Sequence, residues 1–206
     1  MKYKRYAWFG FIAPAIFVIT YLIMAGIRPE YSHYTKTISE LGSVDAFNRH
    51  TWNIIGYILV GGMISIFGFG LYKGISRDTV SVSKVPMYGL VLSGLFMVLA
   101  GLFPANFEAK NTFSMFLHTV SNIGAFFSFY IAAYTLPPIL KRTYFWQPAR
   151  IPSIALAVIS TLAGFYRPVD MPGIGQRVGY LFFFIWIGYM AFMLWRYGEE
   201  VEKQNF

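Results

Sequence analysis

Six long apolar stretches divide the chain, and they leave room for little but a helical bundle in a membrane. They run Ala7–Ile27, Thr51–Tyr72, Val85–Phe103, Phe113–Leu140, Ile151–Tyr166 and Val178–Trp195. A spanning helix needs about 20 mainly apolar residues, and in hydrocarbon every backbone polar group must be satisfied inside the protein. The pattern predicts an all-α, polytopic membrane protein with six transmembrane helices in one bundle. Composition agrees: 13% of residues are charged, where soluble domains carry about 25%. A single six-helix transmembrane domain over 1–206, with no soluble appendage, is the expectation.

Two stretches have unusual lengths. The fifth has sixteen residues, which at about 1.5 Å each span roughly 24 Å, so its end is expected to sit below headgroup level. The fourth is long, and Pro137-Pro138 is expected to break it. The start, Met1-Lys2-Tyr3-Lys4-Arg5, imitates the basic region of a signal peptide. The apolar segment behind it is too long for one, and no small-x-small cleavage site follows. It reads as a retained first helix.

Lys and Arg set the orientation. Eleven lie at the two tails and in the loops after the second and fourth stretches, and six lie on the other side. The bias predicts a plasma-membrane protein with both termini cytoplasmic. Trp8, Trp146 and Trp195 are then expected in an inner aromatic belt, with Trp52 at the outer interface. The net charge of +8 is thereby explained as topology. No basic stripe with stacking aromatics is present, so nucleic acid is not expected as a partner. The absence of cysteine excludes thiol catalysis, disulfides and Cys-based metal sites.

The three outer loops, Arg28–His50, Pro104–Thr112 and Arg167–Arg177, hold five of the nine acidic residues and two of the three histidines. The outward-going helices end alike, in Ala25-Gly26, Ala100-Gly101 and Ala163-Gly164, each followed by apolar residues and then proline. The first loop is long enough to be functional. Its Ile38 and Leu41 are spaced to face inward on a short turn that Ser39 and Glu40 flank. In the second loop, Asn106 precedes Asn111 and Thr112, either of which can cap the fourth helix. His118, about one turn inside that helix, is the strongest single candidate, because an ionisable group in a span usually faces the bundle interior. In the third loop, Pro172-Gly173-Ile174-Gly175 reads as a turn with free N–H groups suited to an anion, followed by Gln176 and Arg177. Arg167 and Arg177 would add bidentate contacts to phosphate or carboxylate. His33, His118 and Asp170 would form a three-ligand zinc set with Glu40 as base.

The segment Tyr31-Ser-His-Tyr-Thr-Lys-Thr-Ile-Ser-Glu-Leu-Gly42, then Phe103-Pro104 and His118, resembles a family of small prokaryotic membrane proteins catalogued as domain of unknown function 998. The resemblance implies six helices and a membrane location. It brings no substrate or reaction.

These residues suggest an outer polar pocket that binds an anionic lipid headgroup or similar amphiphile. Arg28, Arg167 and Arg177 would supply charge, and His33, Ser39, Glu40, Asn106, His118 and Gln176 polar contacts. The alternative is a membrane-embedded, metal-assisted lipid hydrolase or transferase with His118 and Glu40 as acid/base groups. Whether the chain is an enzyme, its cofactors and its oligomeric state are left open by the sequence.

Overall fold

The computed structural model describes residues 2–78, 81–166 and 168–204. Six helices are long and apolar enough to cross a membrane: α1 (Lys2–Gly26), α2 (Arg49–Ile75), α3 (Val85–Leu102), α4 (Phe113–Leu140), α5 (Gln147–Phe165) and α6 (Pro172–Lys203). There is no strand among the described residues. The chain is an all-helical, multi-pass integral membrane protein, as the six apolar stretches imply.

The helices form a closed ring. α1 packs between α2 and α6, α2 against α3, α3 against α4, and α5 against α6, with a smaller contact between α4 and α5. The start of α1 and the end of α6 lie at one end, called the terminal end below, where Lys4 Nζ meets Glu202 Oε2 at 2.7 Å. The opposite end, called the loop end below, carries the segments that join α1 to α2, α3 to α4 and α5 to α6. Small residues bring the backbones close. At the α2–α3 contact a side chain on Gly61 would collide with the Gly94 carbonyl, and Ser65 Oγ donates to Val91 O at 3.0 Å.

Several details follow from local sequence. Thr112 caps α4, accepting from Met115 N at 3.3 Å. α4 breaks at Leu136, because Pro137 supplies no N–H to continue the ladder. Near its start α2 is a π-helix over Trp52–Leu59, which turns Trp52, Asn53, Gly56 and Tyr57 all inward. Ile38 and Leu41 face inward as expected, on a 3-10 turn over Ile38–Gly42.

Two expectations are corrected. α6 starts at Pro172, not Val178. Pro at the first helical position is favourable, and the glycine that follows lets the first loop pack directly on the helix. A side chain on Gly173 would collide with the Lys36 carbonyl and lie 2.9 Å from the His33 carbonyl. Trp52 and Trp146 are also not interface residues, since both are 0% exposed. Trp146 packs on Phe145 and Tyr197, and Trp52 on Phe17 and Tyr57. Trp8 and Trp195 do meet near the terminal end, edge to face at 5.3 Å.

Candidate functional site

The first loop is folded down onto the bundle by its own polar residues. Glu40 Oε1 accepts from Thr37 N at 2.7 Å and from Thr37 Oγ1 at 3.1 Å, closing a capping box around the 3-10 turn. Ser39 is buried beside Thr37, Oγ to Oγ 3.3 Å. Tyr31 donates its hydroxyl to Thr37 O at 2.9 Å. Asn53 Nδ2 donates to Gly42 O at 2.9 Å, which fixes the turn to the π-helical part of α2. Val44 N donates to Ala105 O at 2.9 Å, joining the first two loops. Arg28 is committed within this loop, with Nη1 on Glu40 O at 2.9 Å and Nε on Glu30 Oε1 at 2.6 Å. The Arg28 hydrogen bond holds the Glu30 carboxyl below its ordinary range.

Arg177 is the centre of the loop end. Its Nε donates to the Tyr21 hydroxyl at 2.7 Å and its Nη2 to the Tyr31 hydroxyl at 2.6 Å. Its Nη1 donates to Lys36 O at 2.8 Å and Gly173 O at 2.7 Å. All four acceptors are neutral oxygens. Among the described residues no carboxylate lies within ion-pair distance of this guanidinium. Since Tyr21 accepts from Arg177, its own proton is available to His33 Nδ1, with which it is in hydrogen-bond contact. Next to Arg177, Gln176 Oε1 accepts from Ile38 N at 2.6 Å. Burial pushes the Tyr31 phenol well up, with the Arg177 charge opposing.

An apolar groove of about 470 Å³ runs down from Arg177 between α1 and α6. Phe17, Val18, Leu22, Leu181 and Phe184 line it, and Tyr21, Ile38 and Arg177 close its loop end. A second cleft of about 290 Å³ lies on the other side of α6, where Asn122 and Gln176 meet Phe126, Phe127 and Tyr130.

His118 lies apart from the loop residues. It is 4% exposed, and its Nδ1 is 3.0 Å from Ala100 O and 2.9 Å from Phe103 O. Carbonyls only accept, so Nδ1 carries the hydrogen, and in a neutral ring Nε2 is an acceptor. That Nε2 has no hydrogen-bond partner among the described residues. The same holds for Trp52 Nε1, Asn53 Oδ1 and the Tyr57 hydroxyl, all deeply buried on the neighbouring π-helical turn.

The structure thus separates the residues that the sequence grouped. Arg28, His33, Ser39, Glu40, Gln176 and Arg177 meet at the loop end. His33 and Asp170 are both exposed, whereas His118 is buried. Among the described residues no three His, Asp or Glu side chains are grouped to hold a metal ion. The zinc set of His33, His118 and Asp170 is therefore not assembled. Glu40 faces Thr37 and, at 3.9 Å, Lys36, while the ring of His118 faces Ala100, Phe103 and Tyr57. Asn106 shapes its own loop, accepting from Ala109 N at 2.8 Å. Gly173 is no open anion nest, because its N–H donates to Tyr34 O at 3.0 Å. Arg167 lies outside the described residues. Sequence reasoning missed Tyr21, Tyr31, Asn53 and Tyr57. Asn53, an amide within an apolar span, was the one with a readable signal.

No curated protein and no solved structure matches the chain. One family does match, over residues 11–193, and the chain belongs to it: the proteins of unknown function grouped as DUF998.

Proposed function

We propose that the loop end binds the anionic headgroup of a membrane lipid or similar amphiphile, with its chain in the α1–α6 groove. The observation that carries this reading is the guanidinium of Arg177 at the head of that apolar groove, without a carboxylate partner among the described residues. A half-buried charge favours a counter-ion, and an anionic amphiphile supplies the counter-ion and an apolar tail together. Arg177 retains one Nη2 hydrogen beyond its four bonds, and His33 is exposed beside it. The Lys and Arg bias favours a plasma-membrane orientation with cytoplasmic termini, so the headgroup would be on the extracytoplasmic side.

Native mass spectrometry of the gently solubilised protein tests the idea, with phosphatidylglycerol and phosphatidylcholine as probes. Selective retention of phosphatidylglycerol that falls at least tenfold in Leu181→Trp, which fills the groove, is the expected result. Equal retention of both lipids, or no effect of the tryptophan, rejects it.

The rival reading, a lipid hydrolase or transferase, draws on the free Nε2 of His118 as a base. It requires His118→Ala to abolish turnover of a bound lipid while leaving the lipid bound.

A further inference from the structure

We infer that the bundle holds a second site, independent of the Arg177 groove, that binds a neutral hydroxyl group between the π-helical turn of α2 and His118 of α4. Its ligand is water or the hydroxyl head of an uncharged amphiphile. Three observations converge on it.

The first is a set of polar atoms in one place. Trp52 Nε1, the Tyr57 hydroxyl and His118 Nε2 have no partner in hydrogen-bond geometry among the described residues, although Tyr57 lies near both Trp52 and Tyr180, and all three side chains are at least nine-tenths buried. Their rings form a row, with Trp52 5.5 Å from Tyr57 and Tyr57 6.1 Å from His118. A buried polar atom left unbonded keeps the whole cost of its lost hydration, so three in one row call for a bound group.

The second is the match of donors and acceptors. Trp52 Nε1 can only donate. His118 Nε2 accepts, because the Ala100 and Phe103 carbonyls hold the ring hydrogen on Nδ1. Tyr57 does either. A group that accepts from the indole and donates to the imidazole completes the row, and a hydroxyl does both. A carboxylate cannot donate and an ammonium cannot accept, so neither completes the row, in contrast to the Arg177 end.

The third is construction. The π-helix aims Trp52 and Tyr57 inward together, a departure from α-helical geometry that is frequent at functional sites. The 3-10 turn of the first loop roofs the site through the Asn53 Nδ2 bond to Gly42 O. The Tyr57 hydroxyl lies near Tyr180 as well as Trp52, and the Tyr180 hydroxyl donates to Asn122 Oδ1 at 3.3 Å. Asn122 lines the α4–α5–α6 cleft, so a polar path leads from the site to the cleft.

The test is nuclear magnetic resonance of the wild-type chain with ¹⁵N-labelled tryptophan and histidine, so no variant must fold. The Trp52 indole proton is expected to show a cross-peak to water, or, in an isotope-filtered experiment, to protons of a co-purifying unlabelled amphiphile. The first outcome assigns water and the second an amphiphile. Trp186 is the internal control, since its Nε1 already donates to Ser153 Oγ at 3.0 Å, and it is expected to show neither. The ¹⁵N shift of His118 is expected to show an unprotonated Nε2. A Trp52 indole with no such cross-peak, or a His118 with its hydrogen on Nε2, overturns the assignment.

Discussion

Arg177 on α6 donates from Nε to the Tyr21 hydroxyl on α1 at 2.7 Å, tying the last helix to the first at the loop end. The same guanidinium reaches two carbonyls and Tyr31, so one side chain joins α1, α6 and the first loop. Hydrogen bonds to a charged group contribute about 1.5–3 kcal/mol each, and not additively. Arg177→Gln is expected to destabilise the protein by about 3 kcal/mol and to speed amide exchange across residues 31–42. Arg177→Lys keeps the charge but loses the planar fork, and should recover only part of that loss. Heat denaturation with hydrogen exchange of the same samples decides it. A lysine variant equal to wild type would show that charge alone matters.

The Tyr31 phenol adds a pH dependence of known sign. Burial raises its pKa above the ordinary value of about 10. The folded loop therefore holds this proton more tightly than the unfolded chain. The corresponding stability is fully present below about pH 10 and declines as pH rises beyond it. Melting temperatures measured between pH 8 and roughly 11 should fall more steeply for wild type than for Tyr31→Phe, which has no proton to lose. Parallel curves would mean that Tyr31 is not buried in solution.

Glu40 caps the 3-10 turn of the first loop. Glutamine serves a capping box as well as glutamate does. Glu40→Gln should leave the loop ordered, whereas Glu40→Ala removes both bonds to Thr37 and should cost about 1 kcal/mol. Limited proteolysis at Lys36 reads the difference. A glutamine variant cleaved as readily as the alanine variant would point to a role for the charge, such as the 3.9 Å approach of Lys36.

Much of the fold was legible because length and polarity alone demand it. A run of about 20 apolar residues has few other solutions. The Thr112 cap, the Pro137 break and the inward Ile38 and Leu41 are local consequences of the residues themselves. The site was legible only in its parts. Arg177 and Tyr21 are 156 residues apart, and no local pattern announces their meeting. His118 and Glu40 are both polar residues toward the same end of the bundle, yet one is buried in the ring and the other caps a loop. Trp52 was misplaced because a tryptophan at a helix end satisfies an interface and a core equally well. The π-helix that turns it inward leaves no mark in composition. Gly173 and Gly175 were read as a turn because glycine permits one. Here the missing side chain of Gly173 serves a packed contact instead.

That contact can be checked within one helix. A side chain at Gly173 would collide with the Lys36 carbonyl and the Arg177 guanidinium, and would stand 2.9 Å from the His33 carbonyl. Two of these are backbone atoms of the first loop, so the loop itself must move. At Gly188, on the same helix, a Cβ would meet nothing within 4 Å. Gly173→Ala should destabilise by about 1–3 kcal/mol, as overpacking does. Gly188→Ala should be neutral or stabilising by up to about 1 kcal/mol, because alanine restricts the unfolded chain and favours helix. Opposite signs in a thermal shift assay, with faster loop exchange only in Gly173→Ala, would establish that the first loop rests on α6. Equal shifts for the two variants would show that it does not.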